Sequence, residues 1–359
     1  MTTQTAELKR LMALALETGA SDLHLKALAP PAMRVHGVLA PIPDAPVFQQ
    51  EDIDRMLEEI TTPEQRARLT AEKELDFSAI LEEAGVRFRV NASYQRDSLA
   101  LVMRVVPGRV PSFEELGPPD AFRVLAGRRQ GLVLVTGAAG TGKSTSLAAM
   151  IDHINGVRQC HVVTIEDPIE FVHQDRKAYI AQREVGLDTT SFAEALRRVL
   201  RQDPDVILIG EMRDLETIAT ALTAAETGHL VLATLHTNNA PQTIDRIIDV
   251  FPPGQQTQVR LQLSAVLQGI MSMALLPKAD GPGRVPAVEV LMATPAVRNL
   301  IRDGKTYQIP NIMQMGTRDG SQTMEQALRS LVERQLVRRE DTLFYAPDHV
   351  PDASRAGAR

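Results

Sequence analysis

The segment 137–144, with the sequence GAAGTGKS, constrains this chain more than any other feature. It fits the pattern G-x-x-x-x-G-K-[ST] of a phosphate-binding loop, in which backbone N–H groups and the positive end of the following helix hold an anion. In such a loop the lysine, here Lys143, reaches the β- and γ-phosphates, and the hydroxyl of Ser144 can bind Mg²⁺. The sequence therefore predicts a nucleotide-binding loop.

The residues on either side of this loop have the patterns of a strand and a helix. Residues 131–136 (GLVLVT) form a short apolar run, as expected for a strand buried on both faces. After the loop, Leu147, Met150, Ile151 and Ile154 recur at the spacing of one helical face. Strand, loop and helix in this order are the setting that supports the motif. The residues expected to contact the nucleotide here are Gly137, Ala138, Ala139, Gly140, Thr141, Gly142, Lys143, Ser144 and Thr145.

Composition restricts the class of protein. The 359 residues are 44% hydrophobic and 23% charged, as in an ordinary globular protein of two domains. The net charge of −6 argues against a broad nucleic-acid-binding surface. Cys160 is the only cysteine, which excludes an intramolecular disulfide and a multi-cysteine zinc site and fits a reducing, cytoplasmic location. The apolar stretch 263–276 is interrupted by polar residues and is too short for a membrane helix.

The patterns along the chain predict two domains and a tail. Residues 1–107 read as a small α+β domain, and residues 108–119, rich in proline and glycine, read as a linker. In residues 120–345, apolar strands alternate with amphipathic helices, which is typical of an α/β fold. Residues 346–359 have little apolar content and are expected to be disordered. Strands of the second domain are predicted near 131–136, 161–165, 205–209, 229–235 and 286–292.

Acidic residues follow two of these predicted strands. One strand leads to Glu166 and Glu170, and the strand 205–209 leads to Glu211. Ligands of open α/β sheets bind at the carboxyl ends of the strands, where a carboxylate can hold Mg²⁺ or orient an attacking water. A solvated acidic loop is the alternative for the first group, and strands often end in acids. Their position after the phosphate loop favours a role in nucleotide chemistry.

Two histidines, His229 and His236, flank the predicted strand 230–235. Because they are seven residues apart on a strand, they point to opposite faces, which argues against a shared metal ion. A histidine that bonds to the backbone at each strand end is an equally simple interpretation.

Four arginines of the first domain, Arg87, Arg89, Arg96 and Arg104, lie on or beside two predicted strands. Arg87 and Arg89 share one face of their strand. They belong either to a solvated strand face or to a site that reaches a nucleotide bound elsewhere.

The order of these elements resembles the secretion-type ATPases. The phosphate loop corresponds to their Walker A motif, and residues 164–170 (TIEDPIE) correspond to their Asp box. Residues 210–214 (GEMRD) correspond to their atypical Walker B motif, and residues 227–237 to their His box. The resemblance extends from residues 20–25 (ASDLHL) to the C-terminal helices.

Within this family the chain is most similar to the retraction ATPases of type IV pili. Its first domain is compact, and one cysteine cannot form the tetracysteine zinc element of the pilus-assembly relatives. The segment 296–302 (AVRNLIR) resembles the C-terminal signature of retraction ATPases, with Val297 in place of isoleucine. Ala138 and Ala139 replace the usual Pro-Thr of the loop, but these positions supply backbone, so nucleotide binding is expected to survive.

The resemblance implies a fold and a site. The fold is α/β, a RecA-like P-loop ATPase core with a smaller N-terminal α+β domain that is PAS-like. The implied ligands are ATP and Mg²⁺, with Glu170 as general base. The implied catalytic residues are Glu170, Glu211, Lys143, Arg89 and Arg104; the implied metal ligands are Ser144, Glu211 and Glu166; and Arg87, His229 and His236 join the loop in binding nucleotide.

The resemblance also implies a function. The chain is expected to be an ATPase that forms a hexameric ring and powers type IV pilus retraction and twitching motility. It is expected to work at the inner face of the cytoplasmic membrane, with a membrane platform protein and related pilus ATPases as partners and without nucleic acid. The alternatives are a pilus-assembly or type II secretion ATPase, a nucleic-acid translocase of the same core fold, and a regulatory subunit that does not hydrolyse ATP.

Overall fold

A computed structural model describes residues 6–35, 37–81, 83–106, 108–281, 283–316 and 319–345. The chain divides into two compact units. The first comprises Met1–Arg109 and Glu170–Val172, and the second comprises Val110–Ile169 and His173–Arg359. The tail predicted over 346–359 lies outside the described residues.

Among its described residues the first unit contains three helices and six strands. They are α1 (Ala6–Glu17), β1 (Asp22–Lys26), β2 (Ala32–Val35), β3 (Val38–Pro41), α2 (Gln50–Ile60), α3 (Pro63–Glu72), β4 (Glu74–Leu81), β5 (Val86–Gln95) and β6 (Ser98–Val105).

One antiparallel sheet organises this unit. The strand order is β3-β2-β1-β6-β5-β4, so the first strand pairs with the last strand at the centre of the sheet. Leu8, Leu11 and Met12 of α1 are fully buried, because their helical spacing places them on the face that packs into this core. The α+β architecture expected of the N-terminal domain is thereby confirmed.

The second unit contains ten α-helices and seven strands among the described residues. They are α4 (Phe113–Leu116), α5 (Ala121–Ala126), β7 (Gly131–Thr136), α6 (Lys143–Val157), β8 (His161–Glu166), β9 (Tyr179–Glu184), α7 (Phe192–Val199), β10 (Val206–Ile209), α8 (Leu215–Glu226), β11 (Leu230–Leu235), α9 (Ala240–Asp249), α10 (Pro253–Val266), β12 (Leu267–Pro277), β13 (Arg284–Met292), α11 (Pro295–Arg302), α12 (Ile309–Met315) and α13 (Met324–Glu333).

A mostly parallel sheet with the order β13-β12-β7-β11-β10-β8-β9 forms the centre of the second unit. Only β13 runs antiparallel to its neighbour. Every residue of β7, β10 and β11 is buried, as expected for strands covered by helices on both faces. The predicted α/β class of the core is confirmed.

The structure departs from the sequence prediction at two strands and at the linker. Strands β9 and β12 were not predicted, and the apolar run 263–276 is divided between the end of α10 and β12. Helix α4 lies in the segment predicted as linker, and its Phe113 is buried in a core of the second unit. The domain boundaries inferred from composition therefore stay a prediction.

Helix α11 holds the segment that resembles the retraction signature, and it packs rather than projecting freely. Val297 and Ile301 are buried. The Arg298 guanidinium donates to the carbonyls of Ser264 at 2.7 Å and Ala265 at 2.5 Å, in the last turn of α10, and to Ala293 at 3.1 Å. Because the last carbonyls of a helix have no partner within it, Arg298 satisfies groups that α10 leaves open where it passes directly into β12.

No helix in the described part of the chain has both the length and the apolar character needed to cross a bilayer.

We expect Arg298→Ala to lower the free energy of unfolding by about 1–3 kcal/mol, since hydrogen bonds from a charged group are lost and carbonyls are left without partners. Arg302→Ala is the matched control, because Arg302 lies on the same helix and is exposed. Thermal midpoints of the two variants without nucleotide would measure the difference. Equal midpoints would show that Arg298 does not stabilise the junction of α10 and β12.

Candidate functional site

The strand order brings the predicted functional segments to one edge of the sheet. Strands β7, β11, β10 and β8 are consecutive neighbours and parallel. The phosphate loop follows β7, His236 follows β11, Glu211 follows β10 and Glu166 ends β8. Because parallel strands end at the same edge, these four groups lie side by side in that order, at the edge where open α/β sheets bind ligands.

The loop after β7 has the backbone that an anion site requires. Gly142 caps α6 with a φ of 91°, and Gly140 has a φ of 76°, both in the left-handed region that favours glycine. Gly137 has a φ of 140°, and a Cβ atom there would lie 2.5 Å from the carbonyl oxygen of Met273. Residues 138–140 are exposed, so the loop and the first turn of α6 are open to a phosphate.

Lys143 is the first residue of α6 and is buried. Its Nζ donates to the carbonyl oxygens of Gly137 and Ala138, both at 2.8 Å. The same Nζ lies 3.5 Å from Nδ1 of His236. The lysine ammonium is thus held over the loop by two backbone dipoles, which a phosphate oxygen could replace as its partners.

Glu211 forms the acidic centre of this edge. Its carboxylate lies 2.7 Å from Arg213 Nη2 and 3.3 Å from His236 Nε2. Burial opposes its charge, but the hydrogen bonds and charges of Arg213 and His236 outweigh this effect and lower the pKa of Glu211. Glu211 is therefore ionised at neutral pH, and His236 lies between it and Lys143.

The segment that carries Glu211 is fixed by the neighbouring strand. Thr234 Oγ1 donates to the Gly210 carbonyl, and the Met212 N–H donates to the Thr234 carbonyl at 3.1 Å. A Cβ atom on Gly210 would lie 3.2 Å from the Ile165 carbonyl oxygen, so the glycine permits the close approach of β8. Thr234 is a supporting residue that the sequence motifs did not identify.

Glu166 is the last residue of β8, and Glu170 lies on the loop that follows. Glu166 Oε1 accepts hydrogen bonds from Thr164 Oγ1 at 2.6 Å and from Gln182 Nε2 at 3.2 Å. Glu170 is exposed and follows the buried Ile169 directly in the chain. Glu166 is thus the more restrained of the two acids.

The residues at the edge fit Mg²⁺ in the manner typical of P-loop proteins. Mg²⁺ keeps several waters and takes one or two protein oxygens together with substrate phosphates. Ser144 in the first turn of α6 and the ionised Glu211 offer such oxygens. In the described part of the chain no group of three or more His, Cys, Asp or Glu side chains could hold a metal ion by itself. The donor set therefore suits an ion that binds together with a nucleotide.

His229 lies at the amino end of β11, the opposite end of the strand from His236. Its Nδ1 is 2.9 Å from the Ala224 carbonyl and 3.2 Å from Thr227 Oγ1. Within one chain the structure brings His236, but not His229, to the phosphate loop. A role of His229 at a subunit boundary stays a prediction.

The arginines of the first unit separate into two groups. Arg89 and Arg104 face each other across β5 and β6, and Arg87 lies on the same face of β5 as Arg89. Arg96 is at the turn of the β5–β6 hairpin, at the other end of these strands. Arg87, Arg89 and Arg104 therefore lie together on one face of the first unit's sheet, and Arg96 lies apart from them.

Arg104 is partly engaged within its own sheet. Its Nε donates to Asp22 Oδ1 at 2.8 Å, but its side chain is 65% exposed. Asp22 is buried, which disfavours its charge, yet hydrogen bonds from Ser21 and Arg104 lower its pKa. Since a guanidinium has five N–H donors, Arg104 can bind Asp22 and still offer donors to an anion.

The fold and the site together define a P-loop ATPase with a RecA-like core. Comparison with known proteins agrees. The family model described as type II/IV secretion system protein matches residues 4–335.

Individual relatives extend over most of the chain. The type IV pilus retraction ATPase PilT of Pseudomonas aeruginosa is 48% identical over 336 residues, which cover 93% of this chain and 96% of that protein. The twitching motility protein of Neisseria gonorrhoeae is 50% identical over 311 residues, covering 87% of this chain and 83% of that protein. A crystal structure of the pilus retraction motor PilT with bound ADP has a TM-score of 0.89 at 49% identity and covers 95% of this chain and 97% of that one.

The chain belongs to the type II/IV secretion system protein family and is a nucleotide-binding ATPase of that family. The family resemblance inferred from the sequence motifs is thereby confirmed.

We expect Gly137→Ala to weaken ATP binding by at least about tenfold, because the new methyl group would collide with the Met273 carbonyl oxygen and with Thr141 Oγ1, at 2.5 and 2.8 Å, and displace the loop. Gly254→Ala is the control, since a Cβ atom there meets nothing within 4 Å. Titration with a fluorescent ATP analogue would compare the two. Unchanged affinity in Gly137→Ala would contradict the tight packing of the loop on β12.

We expect the protein to lose stability in mild acid because of His173, which lies in the loop between β8 and β9. Burial lowers the pKa of His173 to about 4, with smaller and opposing effects of Asp152 and Arg176. Because the folded pKa lies below the unfolded value of about 6.5, stability that is fully present above pH 6.5 declines as the pH falls toward 4, by about 3 kcal/mol in total.

We expect His173→Leu to flatten this decline between pH 6.5 and 5, above the range in which most carboxylates titrate. Urea denaturation of both proteins across this interval would measure it. Parallel pH profiles would show that His173 does not enter the folded state uncharged.

Proposed function

We propose that this chain hydrolyses ATP to ADP and phosphate and that it powers the retraction of type IV pili as a hexameric ring. The observation that carries the proposal is the convergence of Lys143, His236 and Glu211 beside the phosphate loop, with Glu166 of the Asp box at the end of the next strand. The two relatives of nearly the same length are named as a pilus retraction ATPase and a twitching motility protein, which supports the direction of force.

Each residue of the site has a role in the proposed reaction. The loop N–H groups and Lys143 bind the phosphates, and Lys143 neutralises charge that develops on the γ-phosphate. Mg²⁺, when bound, would supply positive charge that stabilises the negative charge of the phosphates. Ser144 and Glu211 would hold this ion, with Glu166 beside them, and Thr145 would contribute to the phosphate contacts. Glu170 would orient the attacking water and accept its proton.

The histidines and the first-unit arginines would respond to whether ATP or ADP is bound. His236 bridges Lys143 and Glu211 in the structure, so a change in either partner on hydrolysis would be felt by its ring. In the hexameric ring that we propose, His229 and the arginines Arg87, Arg89 and Arg104 would complete the site at subunit boundaries. An arginine that reaches the transferred phosphoryl group accelerates such reactions by about 10³–10⁵ in other enzymes.

The proposed partners follow from this function. The ring would work at the cytoplasmic face of the inner membrane, transmit force to a platform protein there, and act together with related pilus ATPases. Nucleic acid is not a proposed partner, because the net charge is −6.

The test separates binding from hydrolysis. We expect Lys143→Ala to lose ATP affinity, and Glu170→Gln to bind ATP normally while the rate of phosphate release falls by a factor of about 10² or more. Glu333→Gln, the same chemical change at an exposed position, is the control. A Glu170→Gln protein with the normal rate would remove the base assignment, and a Lys143→Ala protein with full affinity would remove the role of the loop.

The direction of force has its own test in cells. Replacing the gene by the Glu170→Gln form is expected to leave excess pili that do not retract. Cells without any pili would indicate an assembly motor instead, and binding to DNA with a steep salt dependence would indicate a translocase.

A further inference from the structure

We propose that Gln182 and Glu184 of β9 are positioning residues that hold the loop carrying the general base. The proposal deepens the function given above, since it rests on Glu170 as base. Both side chains make hydrogen bonds to the loop that joins β8 to β9, and both were absent from the sequence motifs.

Glu184 fixes the residue before the base. Its side chain is 4% exposed, and its Oε2 accepts the N–H of Ile169 at 3.2 Å. Its own backbone is fixed as well, because its N–H donates to Asp188 Oδ2 at 2.8 Å and its carbonyl accepts the Asp188 N–H at 2.8 Å. Because the Glu184 side chain is buried and its backbone is held in place, its hydrogen bond to the Ile169 N–H fixes the position of the residue directly before Glu170.

Gln182 contacts the chain at two places, at Glu166, the last residue of β8, and at His173, in the middle of the loop that follows. Its amide nitrogen donates to Glu166 Oε1 at 3.2 Å, and its amide oxygen accepts the N–H of His173 at 2.8 Å. Glu166 also accepts from Thr164 Oγ1, so its orientation is determined by two donors. One side chain therefore connects the first acid of the Asp box to His173, on the other side of Glu170 in the chain.

The strand pairing explains why these two residues are suited to the task. Strands β8 and β9 are parallel, with Thr164 opposite Gln182 and Glu166 opposite Glu184. Residues 182 and 184 are two apart, so both lie on one face of the sheet. The Val185 N–H also donates to the Glu166 carbonyl at 2.8 Å, which ties the end of β9 to the start of the loop.

These contacts restrain the loop at Glu166, at Ile169 and at His173, on both sides of Glu170. Orienting a water for in-line attack depends on geometry, and a misplacement of about 1 Å can cost about 10² in rate. Loss of these restraints is therefore expected to slow hydrolysis without weakening nucleotide binding, since the phosphate loop is on a different strand.

The experiment uses the full chain with ATP and Mg²⁺. Gln182→Met removes both hydrogen bonds at nearly constant size, and Glu184→Gln replaces the carboxylate by an amide that carries donors. We expect each to lower kcat by about 10- to 100-fold, with ATP affinity within about threefold of wild type. Glu333→Gln is the matched control and should keep the normal kcat.

A double-variant cycle with Glu170→Gln separates positioning from a general loss of structure. If Gln182 acts through Glu170, the double variant Glu170→Gln/Gln182→Met hydrolyses ATP no more slowly than Glu170→Gln alone in single-turnover measurements. A further loss of rate in the double variant would overturn the proposal, as would a normal kcat in Gln182→Met.

The cycle also tells two failures apart. If Glu170→Gln is slow and both β9 variants are normal, only the positioning role is lost and the proposed function stands. If Glu170→Gln itself hydrolyses ATP at the normal rate, the base assignment fails and the positioning proposal fails with it. Should Glu184→Gln not fold, Gln182→Met carries the test alone, because Gln182 is only half-buried.

Discussion

The parallel pairing of β7, β11, β10 and β8 is the constraint on which the rest of the second unit depends. Parallel strands all end at one edge, so four chain segments far apart in sequence deliver their following residues to one place. The strands are buried on both faces, and their apolar side chains hold them in register without contributing chemistry. Glu166, Glu211, His236 and the phosphate loop lie where these strands end, which concentrates charge at the open edge.

At that edge four polar side chains form a continuous series. The Lys143 ammonium, the His236 ring, the Glu211 carboxylate and the Arg213 guanidinium follow one another at hydrogen-bonding or near hydrogen-bonding distances. Each group has a neighbour that favours its charge or its orientation, so partial burial of Glu211 is tolerated. A nucleotide phosphate entering the loop would compete for Lys143 and so change the balance along the whole series.

Sequence patterns predicted most of this core, because its strands are short apolar runs that end in recognisable polar motifs. The predicted strands that precede the phosphate loop, Glu211 and His236 are confirmed. Strand β12 was missed because its eleven residues are almost continuously apolar and follow α10 without a turn signal, so periodicity could not separate helix from strand. Strand β9 was missed because its residues are mainly polar and half-buried, as suits an edge strand.

Hydrogen bonds between side chains on one strand and groups on the neighbouring strand could not be predicted from the sequence, for a related reason. The pairing of Gln182 with Glu166 depends on β9 lying next to β8, and the bond from Thr234 to Gly210 depends on β11 lying next to β10. No local pattern encodes either neighbour. The roles assigned to individual site residues stay predictions, and the spacing of motifs could identify the acids but not the side chains that orient them.

The close contact between Gly137 and the Met273 carbonyl has a consequence for how the protein is made. The phosphate loop packs on β12, a strand more than 130 residues later in the chain. On this strand Ser272 Oγ also accepts a hydrogen bond from Thr136 Oγ1 at 2.9 Å. A polypeptide emerging from the ribosome contains the complete loop motif long before the strand that supports it. The loop therefore acquires its native packing on β12 only after residue 273 has been synthesised.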